Sequence, residues 1–275
     1  MVHLQSSWAL AHHAGEPHTI IRVRNLATVL PVGTDAWGRP NKSQPVLISA
    51  SISLSQPFVE ASETDTVTRG TVHYGILSKA VLKACEEFGE LLELDVRGEG
   101  EGAVPMCARA LVHWLHFYLT GEETLPKVQC LSSSPSKSPS GGGVREPILK
   151  GQALRMLEIK IMLPKASLLG NGVTLKGCFV HDEKHRGLSA YSMALTLHEL
   201  RVPTVIGVNG NERLARQMVV ATVEMDRYDR MVDSYCRLEE LVVKVCEIFL
   251  CYNLIYEFSV SGQGSKVRGN TPVVF

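Results

Sequence analysis

The chain has 275 residues, 45% of them apolar and 20% charged, enough for one large or two small domains of an ordinary globular protein. Lys plus Arg and Asp plus Glu are equal at 28 each, so no net field draws the chain to nucleic acid or to an acidic membrane, and neither is expected as a partner. The seven cysteines form no C-x-x-C pair and the start lacks a basic, then apolar leader, which excludes a zinc ribbon and predicts reduced thiols in a cytoplasmic protein.

Residues 1–18 read as an N-terminal extension. Residues 20–31, IIRVRNLATVLP, are rich in β-branched side chains and predict a strand. The turn-rich stretch 33–44 leads to VLISASISLS (46–55), whose alternation predicts a half-buried strand. After a polar loop, HYGILSKAVLKACEEF places Ile76, Ala80 and Ala84 at helical spacing. A second helix is predicted over 103–119, with Pro105 acceptable only in its first turn. The Ser/Pro/Gly-rich run 131–143, within a wider insertion at 131–150, has too little apolar surface to offset its ordering entropy. Strands follow at 154–163 and 173–180, and 181–193 reads as a polar connector.

The pattern then begins again, with strands at 195–208 and 218–225 and a helix at 236–252. V-L-K-A-C-E-E-F (81–88) aligns with V-V-K-V-C-E-I-F (242–249), which also pairs Leu77 with Leu238 and Tyr74 with Tyr235. N-L-x-x-x-L-P-V-G (25–33) answers E-L-x-x-x-T-V-I-G (199–207). Amphipathic helices resemble one another by default, but the matching strand–turn–strand–helix order makes duplication the better account. The two units run over 19–181 and 194–275, and the second is abbreviated, with at most one strand, in YEFSV, before a turn-rich tail.

TVHYG (71–75) entering a helix, LLE (91–93) one helix later, and LPK (163–165) followed by A-S-L-L-G-N-G-V together resemble the dihydroneopterin aldolase family. The tandem order resembles the front portion of fungal multifunctional folate-synthesis proteins. The resemblance covers residues 20–180 well and 195–250 in part. It implies an α+β tunnelling fold (T-fold), in which each unit is an antiparallel four-stranded sheet with two helices on one face. Such units assemble into homo-oligomeric rings with pockets between neighbours. It further implies a lyase of folate biosynthesis that splits 7,8-dihydroneopterin into 6-hydroxymethyl-7,8-dihydropterin and glycolaldehyde without metal or cofactor.

On this resemblance Glu93 anchors the pterin, because a carboxylate accepts two parallel N–H hydrogen bonds at once. The bland alternative is a solvated glutamate beside Glu86, Glu87, Glu90 and Asp95. Leu92 and Val72 border the same pocket, Val72 through its backbone. Lys165 matches the catalytic lysine, whose amine polarises a water or hydroxyl for proton transfer; an ordinary exposed strand-end lysine is the alternative. Tyr74 matches the tyrosine that a neighbouring unit offers to protonate the enol-like intermediate, against a tyrosine that merely packs at a helix start.

The family's glutamate between the first two strands is missing from the first copy, which has Gly38-Arg39 there, while the second copy supplies Glu212. Tyr235 occupies the second copy's tyrosine position but is followed by Cys236. Either the copies complement each other in a shared pocket, or the second only completes a ring. The same fold recruited as a secondary-metabolite lyase or cyclase, or as a non-catalytic ring partner, stands as the alternative function. His113 and His116 lie three apart on a helix with no third metal ligand placed beside them, which favours a packing role.

Overall fold

The computed structural model describes residues 2–40, 42–57, 72–96, 107–124, 146–182, 187–206, 209, 211–251, 259–260 and 265–268, and the side chains of 93–96, 212, 247–251, 259–260 and 265–268 fall outside that set. The predicted insertion at 131–143 and the GEGEG run at 98–102 also lie outside the described residues.

The elements are β1 (His3–Leu4), α1 (Ser7–Ala14), β2 (Thr19–Leu30), β3 (Gln44–Leu54), α2 (Tyr74–Val96) and α3 (Ala108–Thr120). They continue with β4 (Leu154–Leu163), β5 (Val173–Asp182), β6 (Gly187–Thr204), β7 (Gln217–Asp226), α4 (Tyr235–Cys251), β8 (Ser259–Val260) and β9 (Ser265–Arg268). The first half thus has the β-β-α-α-β-β order expected from periodicity. Among the described residues, all strands join one sheet in the order β2-β3-β4-β5-β6-β7-β9-β8, antiparallel except for β1, which pairs parallel with β6 at Ala190 and Tyr191.

In place of a four-stranded sheet for each unit, the described residues form one continuous nine-stranded sheet. Residues 187–193 are a strand rather than a connector, because small and aromatic residues there pair with β5 from Asp182↔Gly187 onward. The tail carries two short strands instead of at most one, and β9 takes the place beside β7 that β4 takes beside β3.

One face of the sheet is predominantly apolar. Val46, Ile48, Ala50, Ile52 and Leu54 of β3, with Leu157, Ile159, Ile161 and Leu163 of β4, form a continuous core under α2 and α3. Helix α2 meets it with Leu77, Ala80, Val81, Ala84, Cys85, Phe88 and Leu92, the i, i+3/i+4 stripe of an amphipathic helix. Helix α3 approaches β5 so closely that a Cβ on Gly177 would lie 2.5 Å from Val112 Cγ1, which reserves that position for glycine. Cys107 Sγ and the Asp233 carboxylate accept from the first free amides of α3, at Ala110 and Ala108, and Gly121 at φ 77° closes its other end.

The N-terminal extension is structured, which its composition did not announce. Ser6 caps α1 through Ala9 N, Asp226 accepts from both Ser7 N and Ser7 Oγ, and Gly15 at φ 64° ends the helix. Leu10 and Ala14 then cover Cys178, Val180 and Ala190 on the other face of the sheet.

The two hairpins share an irregularity. Pairing of β2 with β3 shifts between Val23 and Leu26, and that of β6 with β7 shifts between Leu197 and Leu200. At the first shift Asn25 has φ 53° and donates its amide to Ser49 Oγ at 3.0 Å. At the second Glu199 has φ 49° and donates to Thr222 Oγ1 at 3.3 Å. Left-handed backbone at a side chain with a Cβ costs energy. Its occurrence twice, at positions the sequence alignment already pairs, matches the hairpins in backbone conformation as well as in order. No described helix is long and apolar enough to cross a membrane.

Candidate functional site

Four strand ends meet at one end of the first half: β2 leaves the sheet after Leu30, β3 enters at Gln44, β4 leaves after Leu163 and β5 enters at Val173. The hairpin connection between β2 and β3 is held from several sides. The Gln44 side-chain amide donates to Val32 O at 2.8 Å, and Ala36 N donates to Lys165 O at 3.0 Å. Asp35 accepts from the amides of Trp37 and Arg39 and pairs with the Arg39 guanidinium at 2.7 Å. The Arg39 hydrogen bond holds the Asp35 carboxyl below its usual range, and Gly38 at φ 73° lets the tip turn back.

Helix α4 docks onto this loop. Tyr235, 1% exposed, accepts from Thr34 N at 2.6 Å and donates to Thr34 O at 2.7 Å. A Cβ on Gly33 would lie 2.7 Å from the Tyr235 hydroxyl and 2.9 Å from Leu163 Cδ1, so the loop approaches the tyrosine too closely for a side chain there. Cys236 Sγ donates to Asp35 O at 3.2 Å. One turn on, the buried Glu239 carboxylate accepts from Leu168 N and Leu169 N at 3.1 and 3.0 Å, fixing the loop that follows Lys165. Burial pushes the Tyr235 phenol well above its ordinary range and raises the Cys236 thiol.

The residues singled out from the sequence separate into two groups. Lys165 is exposed at the rim, two residues past Leu163, which borders Gly33 as the Tyr235 hydroxyl does. Tyr235 is there too, but its hydroxyl both accepts from Thr34 N and donates to Thr34 O, so in this arrangement it clamps the loop. The C-terminal half of α2 runs toward the same end, since Gly89 lies against Leu30. Leu92 is fully buried in the core, and the Glu93 side chain lies outside the described residues.

Tyr74 is elsewhere. It begins α2, about 22 Å along the axis from Gly89 at 1.5 Å per residue, and is 65% exposed with its ring stacked on His73. Val72 beside it is buried. Within one chain Tyr74 and Lys165 do not meet. Glu212 starts a short 3-10 turn between β6 and β7, and its side chain is outside the described set.

Sequence reasoning missed Thr34, Gln44 and Glu239. Glu239 had a visible signal: an acid one turn after Tyr235, set between Leu238 and Val242 on a helix start. His113 and His116 are buried rather than rim groups. His113 Nδ1 lies 2.5 Å from Thr124 Oγ1, and His116 Nε2 lies 3.4 Å from His181 Nε2. Among the described residues no group of three His, Cys, Asp or Glu side chains is placed to hold a metal ion.

No family model and no curated protein matches the chain. Solved structures similar to it include a protein described as a dihydroneopterin aldolase (FolB) from Vibrio cholerae, 14% identical, covering 60% of this chain and 100% of that one with a TM-score of 0.36. Urate oxidase from Bacillus sp. TB-90 is 9% identical, covers 92% of this chain and 96% of that one, and has a TM-score of 0.48. The chain is an α+β protein with one large, predominantly antiparallel sheet and its main helices on one face.

Proposed function

We propose that the chain is an aldehyde-lyase of the dihydroneopterin aldolase type, built from two tandem tunnelling-fold units whose pocket lies where the second unit meets the first. The observation that carries this reading is the seat of Tyr235. A helix-start tyrosine of the second unit rests on the first unit's hairpin loop, beside the strand that ends in Lys165. This seat supports a pocket between the two units.

In this reading Glu93 holds the pterin ring and Lys165 orients the side-chain hydroxyl for proton removal. The bond between the two carbons bearing the side-chain hydroxyls nearest the ring then breaks. Its electron pair passes into the dihydropterin ring, the deprotonated hydroxyl becomes the carbonyl of glycolaldehyde, and the ring-side carbon takes back a proton to leave a hydroxymethyl group. Tyr235 positions the Thr34–Asp35 loop. Tyr74, exposed at the far end of α2, is offered to a neighbouring chain when edge strands β2 and β9/β8 of successive copies close a ring.

The engaged Tyr235 hydroxyl specifically favours a second reading, a ring member that binds a flat heterocycle without cleaving it. Turnover separates the two. Purified protein incubated with 7,8-dihydroneopterin without added metal is expected to release glycolaldehyde, and Lys165→Ala and Glu93→Ala are each expected to lower the rate at least about a hundredfold. Neopterin binding by calorimetry without glycolaldehyde release supports the second reading. Absence of both overturns the site.

A further inference from the structure

Helix α4 presents an apolar face that its counterpart buries. In the first half α2 is covered on one flank by α3: Trp114 Nε1 donates to Ala84 O at 2.8 Å, its ring lies 6.1 Å from that of Phe88, and Tyr118 Oη donates to Glu87 at 3.0 Å. Ala80 and Ala84 are buried beneath that contact. The sequence alignment sets Leu241 and Val245 of α4 at these two positions. Both are larger and apolar, and they are 50% and 38% exposed. Their neighbours Leu238, Val242, Val243 and Cys246 already pack on the core, so the exposed pair is a separate stripe.

The flank of that stripe is charged and ordered. Arg237, Glu240 and Lys244 are all exposed along its solvent side. From this we infer that the Leu241/Val245 stripe is a self-association surface, on which α4 of a second copy of this chain packs antiparallel about a two-fold axis. An isologous contact centred between 241 and 245 sets Leu241 against the second copy's Val245 and the reverse. It also brings Glu240 within about one helical turn of the second copy's Lys244, twice over. With formal charges balanced at 28 and 28, two copies meet without long-range repulsion.

This contact uses a helix face and is independent of the aldolase reading and of the edge-to-edge ring. The test is the mass in solution of the full chain by light scattering, together with zero-length carbodiimide coupling in an equal mixture of 14N- and 15N-labelled protein. Leu241→Glu, at a half-exposed position, is expected to halve the mass while leaving the thermal transition cooperative. Glu240→Lys is expected to weaken association about tenfold, and Glu240→Lys/Lys244→Glu to restore it. Mixed-label peptides joining Glu240 to Lys244 are the direct signature. An unchanged mass in Leu241→Glu, failure of the double charge exchange to restore association, or only same-label Glu240–Lys244 coupling overturns the proposal. A wild-type chain that is already monomeric, or one whose stripe is cross-linked only to a different protein, overturns it as well.

Discussion

The two hairpins agree to the level of a single backbone dihedral, yet the helices that follow them live in different surroundings. Helix α2 lies under a second helix and is packed with alanine, while α4 begins by gripping the first hairpin's loop and keeps larger residues in the open. Repetition of local conformation therefore did not bring repetition of environment. The second half is joined to the first by an unbroken sheet through β5 and β6 and by the Tyr235 and Glu239 contacts. Its helix start is a structural element of the first half's rim.

The sharpest way to break this comparison is Tyr235→Phe. If the halves depend on each other as described, loss of both Thr34 hydrogen bonds is expected to cost about 2–3 kcal/mol in one cooperative transition, followed by chemical denaturation. A separate early transition with the remainder unchanged would mean independent bodies.

Acid should discriminate next, because the buried histidines belong to α3, an element without a counterpart among the described residues of the second half. Burial and the nearby Arg109 pull His113 from 6.5 to about 3, and burial with His181 alongside holds His116 well below its usual value. A depressed histidine contributes stability that is complete above pH 6.5 and is lost as pH falls, at about 1.4 kcal/mol per unit for each group. Asp233, raised by burial to about 6, acts in the opposite sense below that pH. The net expectation is a loss of about 2 kcal/mol between pH 6.5 and 5, read from denaturation midpoints. A flat profile there contradicts neutral, buried imidazoles.

The smallest effect tests the bulges themselves. Glycine adopts φ near 50° without penalty and asparagine tolerates it better than glutamate. Glu199→Gly is thus expected to stabilise by up to about 1 kcal/mol and Asn25→Gly to change little, measured as a difference in denaturation midpoint. Equal responses would show that the two bulges are not equivalent in energy.

How much of this could be read from the chain depends on where the signal lies. Strands β3, β4 and β5 and helix α2 announce themselves because alternation or 3.6-residue spacing follows directly from which face is buried. The bounds of β4, Leu154–Leu163, coincide with the reading. Helix α1 hid because two of its turns are too short for periodicity to register, although Ser6 and Gly15 bracket it. The early start of β6 hid because Gly187–Met193 is rich in small residues, and only pairing with β5 makes it a strand. At the rim Lys165 and Tyr235 were singled out from their motifs. The clamping contacts were not legible, since Tyr235 meets Thr34 and Glu239 meets Leu168 across long stretches of chain that no local pattern connects.

The short N-terminal helix has a consequence for redox chemistry. Cys178 sits on the far side of the sheet under Leu10 and Ala14, and its thiol is pushed up to about 12, which starves it of the thiolate that oxidants and alkylating reagents attack. Part of its apolar cover is α1, which Asp226 pins at one end. Removing residues 1–15 is expected to expose this sulfur and speed its alkylation, read by thiol-reagent kinetics.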